Sequence, residues 1–159
     1  MTLEEFREEV RKLKRSNRYP ADRSYILPAL WIAEKSFPAI THDIMKVIAE
    51  ELGVRPVEVE EVAEFYAMFH TKPKGKYIIR VCTNLSCMLN KGEELLARFS
   101  DLLGISPGET TDDGLFTLEV SECMGLCDGA PAVTVNEERF LKVTPEQVPE
   151  ILKKFGWKG

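Results

Sequence analysis

Over the first 70 residues the apolar positions recur every three to four places, the period of a helix that turns one face to a core. Leu3, Phe6, Val10 and Leu13 set the first stripe. Thr2 and Glu5 form a capping box at its start, and Lys12, Lys14 and Arg15 place positive charge at the carbonyl end of the helix dipole, so this helix is expected to stop near Asn17. A second helix is expected over 24–37, with Pro28 tolerated in its first turn, where the backbone N–H has no intrahelical acceptor to lose. Its run YILPALWIA is apolar nearly all round, which puts it either at the centre of a bundle or against a partner. Thr41 is expected to cap a third helix carrying the stripe Ile44, Met45, Val47, Ile48 and Leu52, which Gly53 ends. Pro56 opens a fourth helix through VEVEEVAEFYAMF, whose acidic residues read as a solvated face and whose FYAMF aromatics read as core.

The pattern changes at the breaker-rich TKPKGK. It reads as a boundary between a helical domain, 1–72, and an α/β domain, 73–159. KYIIRV (76–81) has the unbroken apolar character of a strand covered on both faces. A helix capped by Ser86 and starting at Cys87 follows, with the stripe Leu95, Leu96, Phe99, Leu102 and Leu103 ending at Gly104. Strands are expected over 116–120, 132–135 and 139–143, the last two joined by the tight turn Asn136-Glu137-Glu138. A capping box at Thr144-Pro145-Glu146-Gln147 opens a final helix that buries Val148, Ile151, Leu152 and Phe155. The order β-α-β-β-β-α is that of a small sheet flanked by helices.

Charge narrows the partners. Lys and Arg number 21 against 26 Asp and Glu, a net charge of −5, so the basic footprint of a nucleic-acid binder is missing. No apolar run reaches the ~18 residues of a membrane span, and the amphipathic, charged N-terminus is unlike a secretory signal; a soluble cytoplasmic chain is expected, with no direct membrane insertion.

The chemistry is concentrated in four cysteines. Cys82, Cys87, Cys123 and Cys127 form C-x4-C and C-x3-C pairs, each starting where a predicted strand ends, so that two loops at one sheet edge bring four thiols together. Three fates are open to them. Two disulfides need an oxidising compartment that nothing in the sequence indicates. Structural zinc uses four thiolates but favours C-x2-C knuckles around one tetrahedral ion. A 2Fe-2S cluster has two irons to reach, which suits the longer loops, one pair per iron. Such a cluster is anionic, and Ser86, the N–H groups of the helix starting at Cys87, and the small Gly125 and Gly129 are candidate compensating donors. Gly92, on the helix, is expected to tolerate a methyl group. Asp128 is read as a loop cap or a carboxylate beside the ligands, and His42 and His70 as surface or packing residues. No G-x-G-x-x-G or phosphate loop is present, so no site for NADH or FMN is expected on this chain. A thiol-disulfide oxidoreductase would want C-x2-C at a helix start, and neither spacing fits.

The run FYAMFHTKPKGKYIIRVCTNLSCMLNKG, then FTLEVSECMGLCDGAPAVTVNEERF and KVTPEQ, resembles the NuoE subunit family of NADH:quinone oxidoreductase, respiratory complex I. The resemblance extends over the whole chain. It implies a thioredoxin-like ferredoxin domain behind an N-terminal four-helix region, with one 2Fe-2S cluster held by Cys82, Cys87, Cys123 and Cys127. It also implies a role as an electron-transfer subunit, its cluster close to the FMN of a neighbouring NuoF-like flavoprotein that binds NADH, in a peripheral arm on the cytoplasmic side of the inner membrane. By this reading the chain alone does not oxidise NADH. Met124 stands where the family often has leucine. Relatives in NAD-linked hydrogenases and formate dehydrogenases would use the same residues.

Overall fold

The computed structural model describes residues 1–159, and the chain divides into two compact units, Met1–Pro73 and Lys74–Gly159.

The first unit is helical. Its helices are α1 (Leu3–Arg15), α2 (Ile26–Ser36), α3 (His42–Leu52) and α4 (Pro56–Phe65), with a 3-10 turn over Asp22–Tyr25 before α2. The Thr2/Glu5 capping box forms, and Ser16 closes α1. The apolar run resolves in favour of the bundle centre: α2 packs against α1, α3 and α4, burying Tyr25, Ile26, Ala29, Leu30 and Ala33. Trp31 nevertheless remains partly exposed. The aromatics after α4 correct the expectation from sequence. The helix stops at Phe65 because Tyr66 turns extended, and Phe65 is left 79% exposed with Tyr66 beside it, while only Phe69 is buried. The acidic face is also less uniform than expected, since Glu58 is buried and accepts from the Arg55 backbone N–H at 2.8 Å.

A carboxylate holds α1 to α3. Glu51 Oε1 accepts from Arg7 Nη1 at 2.7 Å, and its Oε2 accepts from Arg11 Nε at 2.8 Å. The Arg11 hydrogen bonds foremost, and then those of Arg7, hold the Glu51 carboxyl below its ordinary range against the opposing effect of desolvation. A lowered folded-state pKa stabilises the fold above the ordinary glutamate value of about 4.3 and loses that contribution as pH falls through the lowered value. Glu51→Gln is therefore expected to cost about 1–2 kcal/mol at neutral pH. Thermal melts of the two proteins should converge as the pH is taken down through the acid range.

The second unit is a four-stranded sheet with helices. It contains β1 (Tyr77–Cys82), α5 (Leu85–Leu89), α6 (Gly92–Leu103), β2 (Phe116–Ser121), β3 (Val133–Val135), β4 (Glu138–Phe140) and α7 (Val148–Lys154). The strand order is β2-β1-β3-β4, with β1 and β2 parallel and the other neighbours antiparallel. Ile79, Val81, Phe116, Leu118, Val133 and Val135 bury one core together with Leu95 and Phe99 of α6 and Val148, Ile151 and Leu152 of α7. Ile78 and Cys82, on the opposite pleat of β1, are buried too, as the apolar run predicts. The one charge in that strand, Arg80, is met by its register partner Glu119 at 2.9 Å.

Two details differ from the sequence reading. The single helix expected from Cys87 to Gly104 is two helices, broken where Lys91 takes φ 71°. β4 ends at Phe140, short of Val143.

Candidate metal centre

Parallel pairing sets the site. Cys82 ends β1 directly opposite Ser121, the last residue of β2, so the loops leaving both strands emerge at the same carboxyl-end edge. That is where open α/β sheets usually place ligands. Asn84 ties the loops together: its Oδ1 accepts from the Leu85 N–H at 2.9 Å, capping α5, while its Nδ2 donates to Glu122 at 3.1 Å.

All four cysteines are free thiols, with Cys82 and Cys87 buried and Cys123 and Cys127 exposed. Cys123 and Cys127 lie with Sγ atoms 3.3 Å apart. The Cys82 and Cys127 thiols lie near enough to Cys87 to raise it, and Cys82 is near enough to act on Cys127 in the same direction. The four thiols thus share one neighbourhood, with Cys123 and Cys127 in direct contact. No three His, Cys, Asp or Glu side chains close on a single point. Cys82 and Cys87 pack with Ala132, and Met124, Leu126 and Ala130 lean on them from the second loop.

The pairs differ electrostatically. Burial pushes the Cys87 thiol up, opposed by the Ala132 backbone N–H that donates to its sulfur. The Gly125 N–H, together with the Cys127 side chain, lowers Cys123. Cys127 is raised chiefly by its neighbour Cys123, and the Ser86 hydroxyl works the other way on it. Four soft thiol donors ringed by two backbone N–H groups and a hydroxyl suit an anionic iron-sulfur group.

Several expectations need correction. Ser86 does not cap a helix, because Asn84 does so two residues earlier; the five-residue α5 offers no extended positive end, and Ser86 acts through its side chain on Cys127 instead. Gly125 behaves as expected for its amide, but the reason for glycine is φ +73°, since a Cβ there meets nothing within 4 Å. Gly129 serves packing, as a Cβ would lie 2.8 Å from Leu141. Gly92 is the reverse of a tolerant position: a Cβ would meet the Cys82 and Cys87 carbonyl oxygens, both at 2.8 Å. Asp128 is exposed in the 3-10 turn Cys127–Gly129. His70 is paired with Glu34 at 2.8 Å and His42 is exposed. Sequence reasoning missed Asn84, although a strong helix-capping residue before LSC was its signal, and it missed the Ala132 amide, which has none.

The comparisons agree with this chemistry. The family model described as thioredoxin-like 2Fe-2S ferredoxin matches residues 13–156. An E-type subunit of NADH-quinone oxidoreductase, the second of that type in Rhizobium meliloti (strain 1021), is 41% identical over 138 residues, covering 87% of this chain and 82% of that protein. The E-type subunit of Escherichia coli (strain K12) is 34% identical over 86% of this chain and 82% of its own. Against the E-type subunit of Mycobacterium tuberculosis (strain ATCC 25618 / H37Rv), 39% identical over 85% of this chain, the match spans about half of the relative, 54%. A chain of the NAD+-reducing NiFe-hydrogenase, in its air-oxidized crystal structure, superposes with a TM-score of 0.71 at 22% identity, over 82% of this chain and 22% of that one, a likeness of fold. With the family model spanning nearly the whole chain and two relatives matched over most of their length, this chain belongs to the thioredoxin-like 2Fe-2S ferredoxins, and among them to the family of E-type subunits of NADH-quinone oxidoreductase.

Proposed function

We propose that the chain is the electron-transfer subunit of an NADH:quinone oxidoreductase, holding one 2Fe-2S cluster through Cys82 and Cys87 on one iron and Cys123 and Cys127 on the other. The observation that carries this reading is the placement of four free thiols, Cys123 and Cys127 of them in contact, on the loops that leave one sheet edge of a family member. Bound there, the cluster supplies a one-electron donor and acceptor. The chain's own residues do the rest. Cys82, Cys87 and Ala132 keep water from one side, and the N–H groups of Gly125 and Ala132 with the Ser86 hydroxyl offset negative charge. Cys123 and Cys127 lie on the solvent side, the shorter route to a partner. Exposed Leu85, Met88 and Leu89 flank Cys87 and give that edge an apolar contact surface.

The electron partner is a NuoF-like flavoprotein carrying FMN and NADH, with other peripheral-arm subunits around it. No helix of this chain is long and apolar enough to cross a membrane, which suits a peripheral place on the cytoplasmic side of the inner membrane. An NAD-linked hydrogenase or formate dehydrogenase would use the same site, but the 41% identity to a quinone-reductase component favours the quinone reductase. The test is to add NADH to the chain with and without its flavoprotein partner, following the reduced-cluster signal by electron paramagnetic resonance. Reduction only in the partner's presence is expected, and reduction by NADH of the chain alone would overturn the assignment of roles. All-thiolate ligation and an acidic setting, with 9 basic against 13 acidic side chains over 76–159, place the midpoint toward roughly −400 mV; a value above about −100 mV would contradict the ligand set.

A further inference from the structure

The geometry points to Gly92 as a positioning residue for the Cys82/Cys87 thiol pair, an inference that rests on the ligand assignment above. Gly92 is buried at the first position of α6, just after the left-handed Lys91. Its Cα is wedged between two backbones that carry thiols. A Cβ would stand 2.8 Å from the Cys82 carbonyl oxygen, 2.8 Å from the Cys87 carbonyl oxygen and 2.9 Å from the Cys87 carbonyl carbon. None of these is a flexible side-chain end that could swing away. Cys82 is fixed from behind by its N–H bond to the Ala132 carbonyl at 3.1 Å, and Cys87 by the Asn90 N–H that donates to its carbonyl at 3.1 Å. Asn90 also clamps α5 through its side-chain amide, which donates to the Ser86 carbonyl at 2.8 Å. The end of β1, the middle of α5 and the start of α6 therefore meet at one Cα, and the missing side chain sets their separation.

Magnitudes make this consequential. Ordinary contacts of a Cβ begin at 3.4 Å, so a methyl group 2.8 Å from two carbonyl oxygens must displace one or both backbones by roughly 0.6 Å. A binding constellation has to be held within about 0.5 Å of its working geometry. The displacement falls on the spacing of the two thiols assigned to a single iron.

The test compares full-length proteins carrying Gly92→Ala and Gly75→Ala. Gly75 is a matched control, for a Cβ there meets Phe116 backbone carbon at 2.8 Å, at the end of the β1/β2 pair away from Cys82. Melting temperature, iron per chain, visible circular dichroism and the paramagnetic resonance g values of the reduced protein are read for each. Gly75→Ala should lower the melting temperature and keep the wild-type spectrum per iron bound. Gly92→Ala should retain less than roughly half of the wild-type iron, with altered dichroism and g values in what remains. Wild-type iron content and spectra in Gly92→Ala would overturn the proposal, as would equal spectral changes in both variants. If Gly92→Ala does not fold, Asn90→Ala puts the same question by removing the side-chain clamp on α5; a shifted spectrum supports the proposal and an unchanged one overturns it. Wild-type protein without iron would instead sink the ligand assignment, and the proposal with it.

Discussion

Replacing Cys82 or Cys87 with alanine is expected to leave the chain folded and without its cluster. The truncation removes one sulfur from a small buried group, a loss of about 1 kcal/mol, well inside what a domain of this size tolerates. Its effect on ligation is total, because the buried pair is closed to solvent and no outside ligand can take the vacated place. The exposed pair should differ. Cys123→Ala and Cys127→Ala should also lose iron, but a small thiol added during reconstitution can reach those positions and restore part of it. Iron per chain and visible absorption, with and without added thiol, check the contrast. Rescue of Cys87→Ala to the same extent as Cys127→Ala would show that the buried pair is no more closed to an outside ligand than the exposed one.

Removing the helical unit should cost partner binding more than cluster binding. A fragment Lys74–Gly159 retains all four cysteines and its own apolar core, from Ile79 through Leu152, so it should assemble a cluster. Residues 1–73 carry Trp31, Phe65 and Tyr66 exposed, and large aromatics of this kind are the usual anchors of protein interfaces. Loss of such anchors is expected to weaken the flavoprotein complex at least about tenfold, or ~1.4 kcal/mol, in a calorimetric titration. Undiminished binding would place the docking surface on the ferredoxin unit, where Leu85, Met88 and Leu89 are exposed beside Cys87.

Most of the architecture is legible in the sequence because periodicity and punctuation agree. The Thr2/Glu5 box, Gly53 and Pro56 mark boundaries that the helices respect, and β1, β2 and β3 fall where β-branched runs place them. The misreadings have a common cause. FYAMF is apolar enough for a core, but whether Phe65 turns inward depends on where α4 ends, and that is set by tertiary contacts. Ser86 and Asn84 are both good caps, and local pattern does not say which one folding uses. The four cysteines are legible from their spacing alone. Their surroundings are not, since the Ala132 amide comes from a loop far along the chain and the role of Gly92 appears only when α6 is laid against β1. Spacing along the chain singles out the four cysteines; packing across it decides what surrounds them.

The central claim is that these four thiols hold one 2Fe-2S cluster. Iron and acid-labile sulfide analysis of the purified full-length chain, with paramagnetic resonance before and after reduction, tests it most directly. The expected result is a coloured protein with about two irons and two sulfides per chain, silent when oxidised and paramagnetic when reduced by one electron. A colourless protein with one zinc per chain, or with its cysteines joined in two disulfides, would contradict it.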